Sequence, residues 1–489
     1  MKRAAKAADG AGISGLSHAI QDGWKALSEH EIEGLKGAGV FFRRQTPGNF
    51  MMRLRMSNGL SNAAQFRALA ALSEEFGKGF VDITTRQQIQ LRWFHIEHVP
   101  EMWRRLEQVG LVSLQTGLNN IRGVTGCPAA GLTPNELFDA SPVTRHYTEA
   151  FLRNPEYTNL PRKFKVTISA CLDNCTSPDS QDVGLVPAIK ESAGVEVYGF
   201  NVVVGGKQGS GGYTPAQALD VFIPPHDTVS LCGAIALLFR DYGQRQDRKK
   251  SRLFFLIQDW GIEKFRRELE CRLGHSLLSA GRDARSTTRT DHVGLFRQQQ
   301  TGLNYVGLVV PTGRLSAAQL LGVATLAEHY GSGEIRLTPS QNLIIPHIPD
   351  HLVGDLTQEP VLQELRYNPS AFMRGLVSCT GRDYCHYSLI ETKQCALDTA
   401  RHLEKTVGKT APLTMRWSGC QNGCGNHTTA DIGFLGKKVQ RDGKTVEAVD
   451  VFVGGRSGPD ARPGTQLLAD VPCEELPQVL EKLIPYMSR

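Results

Sequence analysis

The chain has 489 residues, 40% apolar and 21% charged, with 50 glycines and a net charge of +6. That length and composition exclude a disordered chain and allow two or three cores, no run approaches the roughly 20 apolar residues of a membrane span, and 55 Lys and Arg against 49 Asp and Glu is too thin an excess for a nucleic-acid stripe. Eleven cysteines stand behind an opening, MKRAAKAADGAG, that is basic but lacks an apolar core, so neither a secretory leader nor a disulfide framework is expected, and reduced thiols in a cytoplasm are.

Residues 1–37 carry Trp24 and an acidic–basic mix and read as a loose arm with one short helix. In FMMRLRM (50–56), Met52, Leu54 and Met56 point one way and Arg53 and Arg55 the other, the period of a strand. After the Asn58-Gly59 turn, Phe66, Leu69, Leu72 and Phe76 recur at helical spacing, with Ser61 or Asn62 as cap and Gly77 as stop. FVDITT (80–85) and IQLRWFHI (89–96) are strand-like, and 100–110 is a short helix ended by Gly110. A glycine-rich loop, GLNNIRGVTGCPAAG, follows. PRKFKVTISA (161–170) alternates, with Lys163, Lys165 and Thr167 on one face, and FNVVVGG (200–206) is a strand ending in a turn. GQRQDRKKSR (243–252) is a basic cluster, and the Ser-, Arg- and Thr-rich residues 275–292 read as a linker.

The chain also contains itself twice. MSNGLSNAAQ (56–65) lies 254 residues before VPTGRLSAAQ (310–319), and Thr84-Thr85-Arg86-Gln87 falls on Thr338-Pro339-Ser340-Gln341 at the same offset. SACLDNC (169–175) lies 249 residues before SGCQNGC (418–424), and Gly205-Gly206 falls on Gly454-Gly455. Two blocks recurring in one order indicate a duplicated α+β unit, foldable as a pseudo-two-fold pair with a site at the seam. The division expected is an arm (1–37), a first half-domain (38–105), a first larger domain (106–274), the linker (275–292), a second half-domain (293–358) and a second larger domain (359–489).

Cys379-x5-Cys385 and Cys420-x3-Cys424 are the densest chemistry in the chain. Four thiolates suit an iron–sulfur cluster, and the glycine-rich loops give it close backbone. Zinc is the second reading, fitted less well by the spacer of five, and coincidence the third. The first copy has Ala130 and Glu136 where the second has Cys379 and Cys385, so one cluster per chain is expected. Its remaining pair, Cys171 and Cys175, reads first as a relic without a ligand role and second as a metal site shared with Cys127.

CTGRDYCHYSLIETK, GCQNGCG and ADIGF together resemble the siroheme and [4Fe–4S] nitrite and sulfite reductase family, over nearly the whole chain from about Ala38. The resemblance implies ferredoxin-like half-domains and two α+β domains for siroheme and cluster. It implies that Cys379, Cys385, Cys420 and Cys424 hold the cluster and that Cys424 joins it to the siroheme iron. It makes Arg53, Arg122, Lys163 and Lys165 the catalytic cations, and Arg86, Arg245, Arg248 and Arg252 the grips on siroheme carboxylates, which arginine's fork suits. Each taken singly has the plain reading of a solvated side chain. It implies six-electron reduction of nitrite to ammonium, or of sulfite to sulfide. Lys165 is the sulfite-type choice, while GFVDITTRQQIQL and AGLTPNELFD look more like nitrite reductases. No strand–GxGxxG–helix context marks a nucleotide module, so an outside donor is expected: by the resemblance ferredoxin, small and acidic, meeting a basic face. A monomer is compatible with all of this. The rival classes are a precorrin-3B synthase-type enzyme and a non-enzymatic metal-binding module.

Overall fold

The two copies trade strands. In the computed structural model, which describes residues 11–209, 212–287 and 289–487, the first half-domain sheet runs Val40–Phe42, Phe50–Arg53, Ile89–Phe94, Phe80–Ile83 and ends on Arg314–Ser316 of the second copy. The second sheet runs Gly294–Arg297, Leu303–Leu308, Leu343–Pro349, Glu334–Leu337 and ends on Leu60–Asn62 of the first. Registers match across the exchange: Arg314 faces Asp82 and Ser316 faces Phe80, as Leu60 faces Arg336 and Asn62 faces Glu334.

Each exchanged strand leads directly into a helix, Ala63–Phe76 or Ala317–Tyr330. The Asn62 side chain accepts from Gln65 N, and Ser316 with Gln319 forms a capping box, so both helices start where their sequences supply an oxygen for the orphan amides. Gly77 and Gly331 end them. Phe66, Leu69 and Leu72 of one, with Leu320, Val323 and Ala327 of the other, are buried in one core shared by both half-domains.

The larger domains repeat a second pattern. Thr125–Gly126, Val166–Ile168 and Val183–Ser192 run parallel, and then Val195–Val204 and Gln217–Ile223 turn back antiparallel. Leu376–Ser378, Met415–Ser418, Ile432–Arg441, Lys444–Val453 and Thr465–Pro472 do the same in the second copy. Helices Ser141–Phe151 and Lys393–Thr406 lie between the first two strands of each. Each domain has its own core, one around Phe164, Phe200 and Phe239 and the other around Trp417 and Phe434.

Two expectations need correction. The N-terminal segment is not a loose arm with one helix. Its first ten residues lie outside the described ones, but helices Ala11–Asp22 and Glu29–Leu35 flank a single turn at Trp24–Ala26. Leu16, Ala19, Leu27 and Leu35 are buried in the shared core, and Ser28 with Glu31 forms a capping box. The linker composition of 275–292 does not mean slack backbone either. Arg282 and Asp283 pair with Ile189 and Ala188, and Ser286 N donates to Leu172 O at 2.7 Å. The Arg282 and Asp283 side chains are exposed while their main chain is spent on the sheet edge, and His292 at the end of the segment is buried. Among the described residues no helix is long and apolar enough to cross a membrane.

Candidate active site

Five cations converge on one cavity. Arg53 ends the strand Phe50–Arg53, Arg86 stands in the turn before Ile89–Phe94, and Arg122 lies in the glycine-rich loop. Lys163 and Lys165 lead into Val166–Ile168. All five line a cleft enclosing about 1210 Å³ of unfilled space, part of it open to solvent, with Cys379, Asn422 and Cys424 of the second copy lining the same cleft.

The arginines are aimed by backbone carbonyls. Arg53 Nη1 donates to Thr116 O at 3.2 Å, Arg122 donates to Thr116 O and, through Nη2 at 2.6 Å, to Leu118 O, and Arg86 Nη2 donates to Gly123 O at 2.8 Å. Part of each fork is left over: Arg53 Nε and Arg86 Nε are buried without a partner. Asp82, the lone carboxylate among the lining residues, is already taken. Burial alone would raise its carboxyl, but Lys393 at 3.6 Å, Arg92 at 2.5 Å and Arg314 at 3.0 Å hold it well below the usual range.

The cost of this uncompensated charge falls on the cations. Burial, then Arg92, lowers Arg53 to about 10; burial, then Arg53 and Arg55, lowers Arg86 to about 9. Lys163 comes down to about 7 through burial and Arg252, and Arg122 and Lys165 are pushed well down, burial leading again. Like charges in a poorly solvated wall relax only when anions enter.

Three expected grips are not part of this wall. Arg252 is spent on Asp182: the pair is fully buried, with Nε and Nη2 both within 3.0 Å of Oδ1 and Nη2 also 2.9 Å from Oδ2. Asp182 Oδ2 in turn accepts Lys165 N at 2.9 Å, so Arg252 braces the lysine strand from behind. Arg245 is exposed, and its Nη2 donates to Asn159 O at 2.8 Å and Arg240 O at 2.7 Å. Arg248 is exposed too, and none of the three lines the cleft. A basic run in sequence does not tell which of its forks an internal acid or carbonyl will claim.

The four second-copy cysteines surround one patch of turns. Cys379 N donates to Trp417 O at 3.0 Å, and Gly419 N donates to Cys379 Sγ at 3.2 Å. Burial and then the Cys424 sulfur push Cys379 up to about 11; burial leads for Cys420 as well, with Cys424 and Cys385 adding to it. Zinc and a cubane ask for different sulfur spacings. Four sulfurs on one zinc ion, at about 2.3 Å from it, lie about 3.8 Å apart, whereas a cubane holds its thiolates on separate corners. Among the described residues, the single group of three or more His, Cys, Asp or Glu ligand atoms all within 4.8 Å of one another is a different one: Cys127, Cys171, Cys175 and His292. Cys379, Cys385, Cys420 and Cys424 form no group that close among the described residues.

The family now follows. A nitrite and sulphite reductase 4Fe-4S domain matches residues 117–277 and 370–487, and a nitrite/sulfite reductase ferredoxin-like half domain matches 42–109 and 296–362. The chain belongs to the nitrite and sulfite reductase family. The ferredoxin--nitrite reductase of Synechococcus elongatus is 42% identical over 96% of this chain and 92% of its own. The chloroplastic ferredoxin--nitrite reductase of Zea mays is 41% identical over 92% and 81%, and the assimilatory ferredoxin-dependent nitrite reductase of Haloferax mediterranei 37% over 95% and 84%. The solved structure of the Mycobacterium tuberculosis NirA protein superposes with a TM-score of 0.92 at 32% identity, covering 98% of this chain and 91% of that one.

This reductase-family site includes residues the sequence reading passed over. Thr85 Oγ1 donates to Cys424 O at 3.1 Å, tying the first copy to the cysteine loop of the second. Thr428 Oγ1 donates to Gln208 Oε1 at 3.0 Å, and Gln208, Gln341 and Lys393 line the cleft. Gln341 was findable: it is the repeat partner of Gln87, and the two bond reciprocally, Gln87 Nε2 to Leu337 O and Gln341 Nε2 to Ile83 O, both at 2.9 Å.

Proposed function

We propose that the chain reduces nitrite to ammonium, a six-electron reaction, at a siroheme joined through Cys424 to a [4Fe–4S] cluster on Cys379, Cys385, Cys420 and Cys424, with reduced ferredoxin as donor. The observation that carries this is the cleft itself: five cations, besides the Lys393 paired with Asp82, around one space, with Cys424 in its wall and no free carboxylate to neutralise them. A tetrapyrrole rimmed with carboxylates fits that set, and the orphaned Nε atoms of Arg53 and Arg86 are donors it could use. When bound, siroheme would supply the iron that takes the anion and delivers electrons to it.

The protein's own part is electrostatic and protic. Arg53 and Arg122 are fixed on the carbonyls of residues 116–118 and would hold the oxyanion as its charge grows. Lys163, lowered to about 7, gives up a proton near neutrality more readily than either arginine, so it is the donor in this scheme, with Lys165 beside it. The division at residues 38–105, 106–274, 293–358 and 359–489 belongs to the same proposal, as do a cytoplasmic place and a monomeric state. The face for the donor would be the patch beside Cys385, where exposed Arg44, half-buried Arg43 and the Glu33-paired Lys36 bear on the neighbouring His386, with Tyr387 exposed.

One observation favours a second reading, sulfite to sulfide with the same cofactors: Lys163 and Lys165 both line the cleft, a field that favours the more highly charged anion. Full-length identity to ferredoxin--nitrite reductases favours nitrite. Turnover of both anions with one reduced ferredoxin decides, and faster reduction of sulfite overturns the nitrite assignment. Lys163→Ala should lower nitrite turnover by about 10²–10⁴ while the visible spectrum persists; unchanged turnover removes Lys163 from the mechanism.

A further inference from the structure

The first copy keeps Cys171 and Cys175 at the positions of the cluster ligands Cys420 and Cys424 but has lost the other pair. A relic would scatter. Instead Cys171 and Cys175 meet Cys127 and His292, and all four ligand atoms lie within 4.8 Å of one another. Every member is buried, at 1%, 5%, 1% and 2% exposure for Cys171, Cys175, Cys127 and His292. We propose that Cys127, Cys171, Cys175 and His292 bind a single zinc ion, a structural site separate from the iron–sulfur cluster.

The chemistry of the set points to zinc. Three thiolates and one imidazole make one of the closed tetrahedral sets that structural zinc takes, and the mutual spacing is that of ligands around one ion, about 3.8 Å for tetrahedral sulfurs. His292 Nε2 is 3.5 Å from Cys127 Sγ, and its Nδ1 is 3.0 Å from Tyr305 Oη. That arrangement leaves Nε2 for the metal and fixes the ring through the other nitrogen, as a supporting hydrogen bond does in metal sites. Tyr305 is itself held, stacked on Phe296 with ring centroids 5.0 Å apart. Ala129, Ala130, Leu132 and Ile344 are buried in the same cluster, apolar surroundings that suit a structural ion.

The site has a mechanical consequence. The three thiols belong to the first larger domain, and His292 belongs to the segment that enters the second half-domain sheet at Gly294–Arg297. One ion would therefore join the two copies, and close to the cleft: Gln87, whose Oε1 accepts from Gly126 N at 3.1 Å, stands between Arg86 and Gln88 of the cleft lining. It would make up, in the first copy, for the ligand pair that its counterpart devotes to the cluster.

The test is metal analysis of the holoenzyme purified without chelator from zinc-replete cells. About one zinc per chain should accompany the iron, and zinc-edge X-ray absorption should show three sulfurs and one nitrogen. Cys171→Ser and His292→Ala should each reduce zinc below about a tenth per chain while the visible spectrum persists. A mercurial titration of the unmodified holoenzyme should release the zinc as thiols react. Zinc far below one per chain, iron in its place, a sulfur shell smaller than three, a Cys171–Cys175 disulfide, or zinc retained in both variants would each overturn the proposal. If the variants do not fold, zinc content and absorption of the unmodified protein still decide it.

Discussion

Lys163 holds its charge in an unfavourable place. Burial and the guanidinium of Arg252 bring it to about 7, so the ammonium is present below that pH and lost above it. An anion bound against it favours the charged form. Nitrite affinity should therefore be flat at lower pH and weaken as pH rises past about 7, with at most about a tenfold loss per pH unit, as spectral titration at several pH values would show. Lys163→Arg should flatten the profile, because arginine stays charged. Gly419 is tightly packed beside the cysteine loop. A Cβ there would lie 1.8 Å from Ser388 Oγ, and its amide donates to Cys379 Sγ at 3.2 Å. Gly419→Ala should cut cluster iron per chain measured on the purified protein; full iron occupancy would show that the loop yields more easily than its packing implies.

At the level of elements, the strand Phe80–Ile83 is where both copies are joined by charge. Asp82 meets Arg92 of its neighbouring strand, Arg314 of the exchanged strand and Lys393 of a helix in the second larger domain. Removing the one acid leaves three cations facing one another in a buried place, so Asp82→Asn should cost about 3–5 kcal/mol in denaturant unfolding. The sign with pH follows from its lowered carboxyl: the contribution is present above the unfolded value of 3.8 and is lost as pH falls toward the folded one. Much of the element layer was legible. Alternation at 50–56 and 161–170, the Asn62 cap and the Gly77 stop all reflect local geometry, which needs only near neighbours. The N-terminal helices were not, because their apolar residues gain partners only in a core assembled from distant segments. The fate of Arg252 was hidden for the same reason, since Asp182 lies 70 residues away.

On the scale of the molecule, neither copy is complete. The first half-domain sheet needs Arg314–Ser316, and the second needs Leu60–Asn62. Residues 38–274 produced alone should expose an unpaired edge at Phe80–Ile83 and part of a shared apolar core, and should aggregate or remain unfolded by circular dichroism and gel filtration. A monomeric, cooperatively unfolding fragment would show that the exchange is dispensable. A donor guided to Lys36, Arg43 and Arg44 by charge should lose rate as salt rises, and a flat salt profile would place its docking elsewhere.

The sequence by itself determined the duplication and the family, and it nominated the cysteines and cations proposed for the site, because identity and spacing survive being written as a string. Only the tertiary structure decided which cations share a wall, which are consumed by Asp182 or a carbonyl, and that Cys127, Cys171, Cys175 and His292 come together. Those outcomes depend on distances between residues far apart in the chain, and such distances are set by strand exchange and core packing that no local pattern encodes.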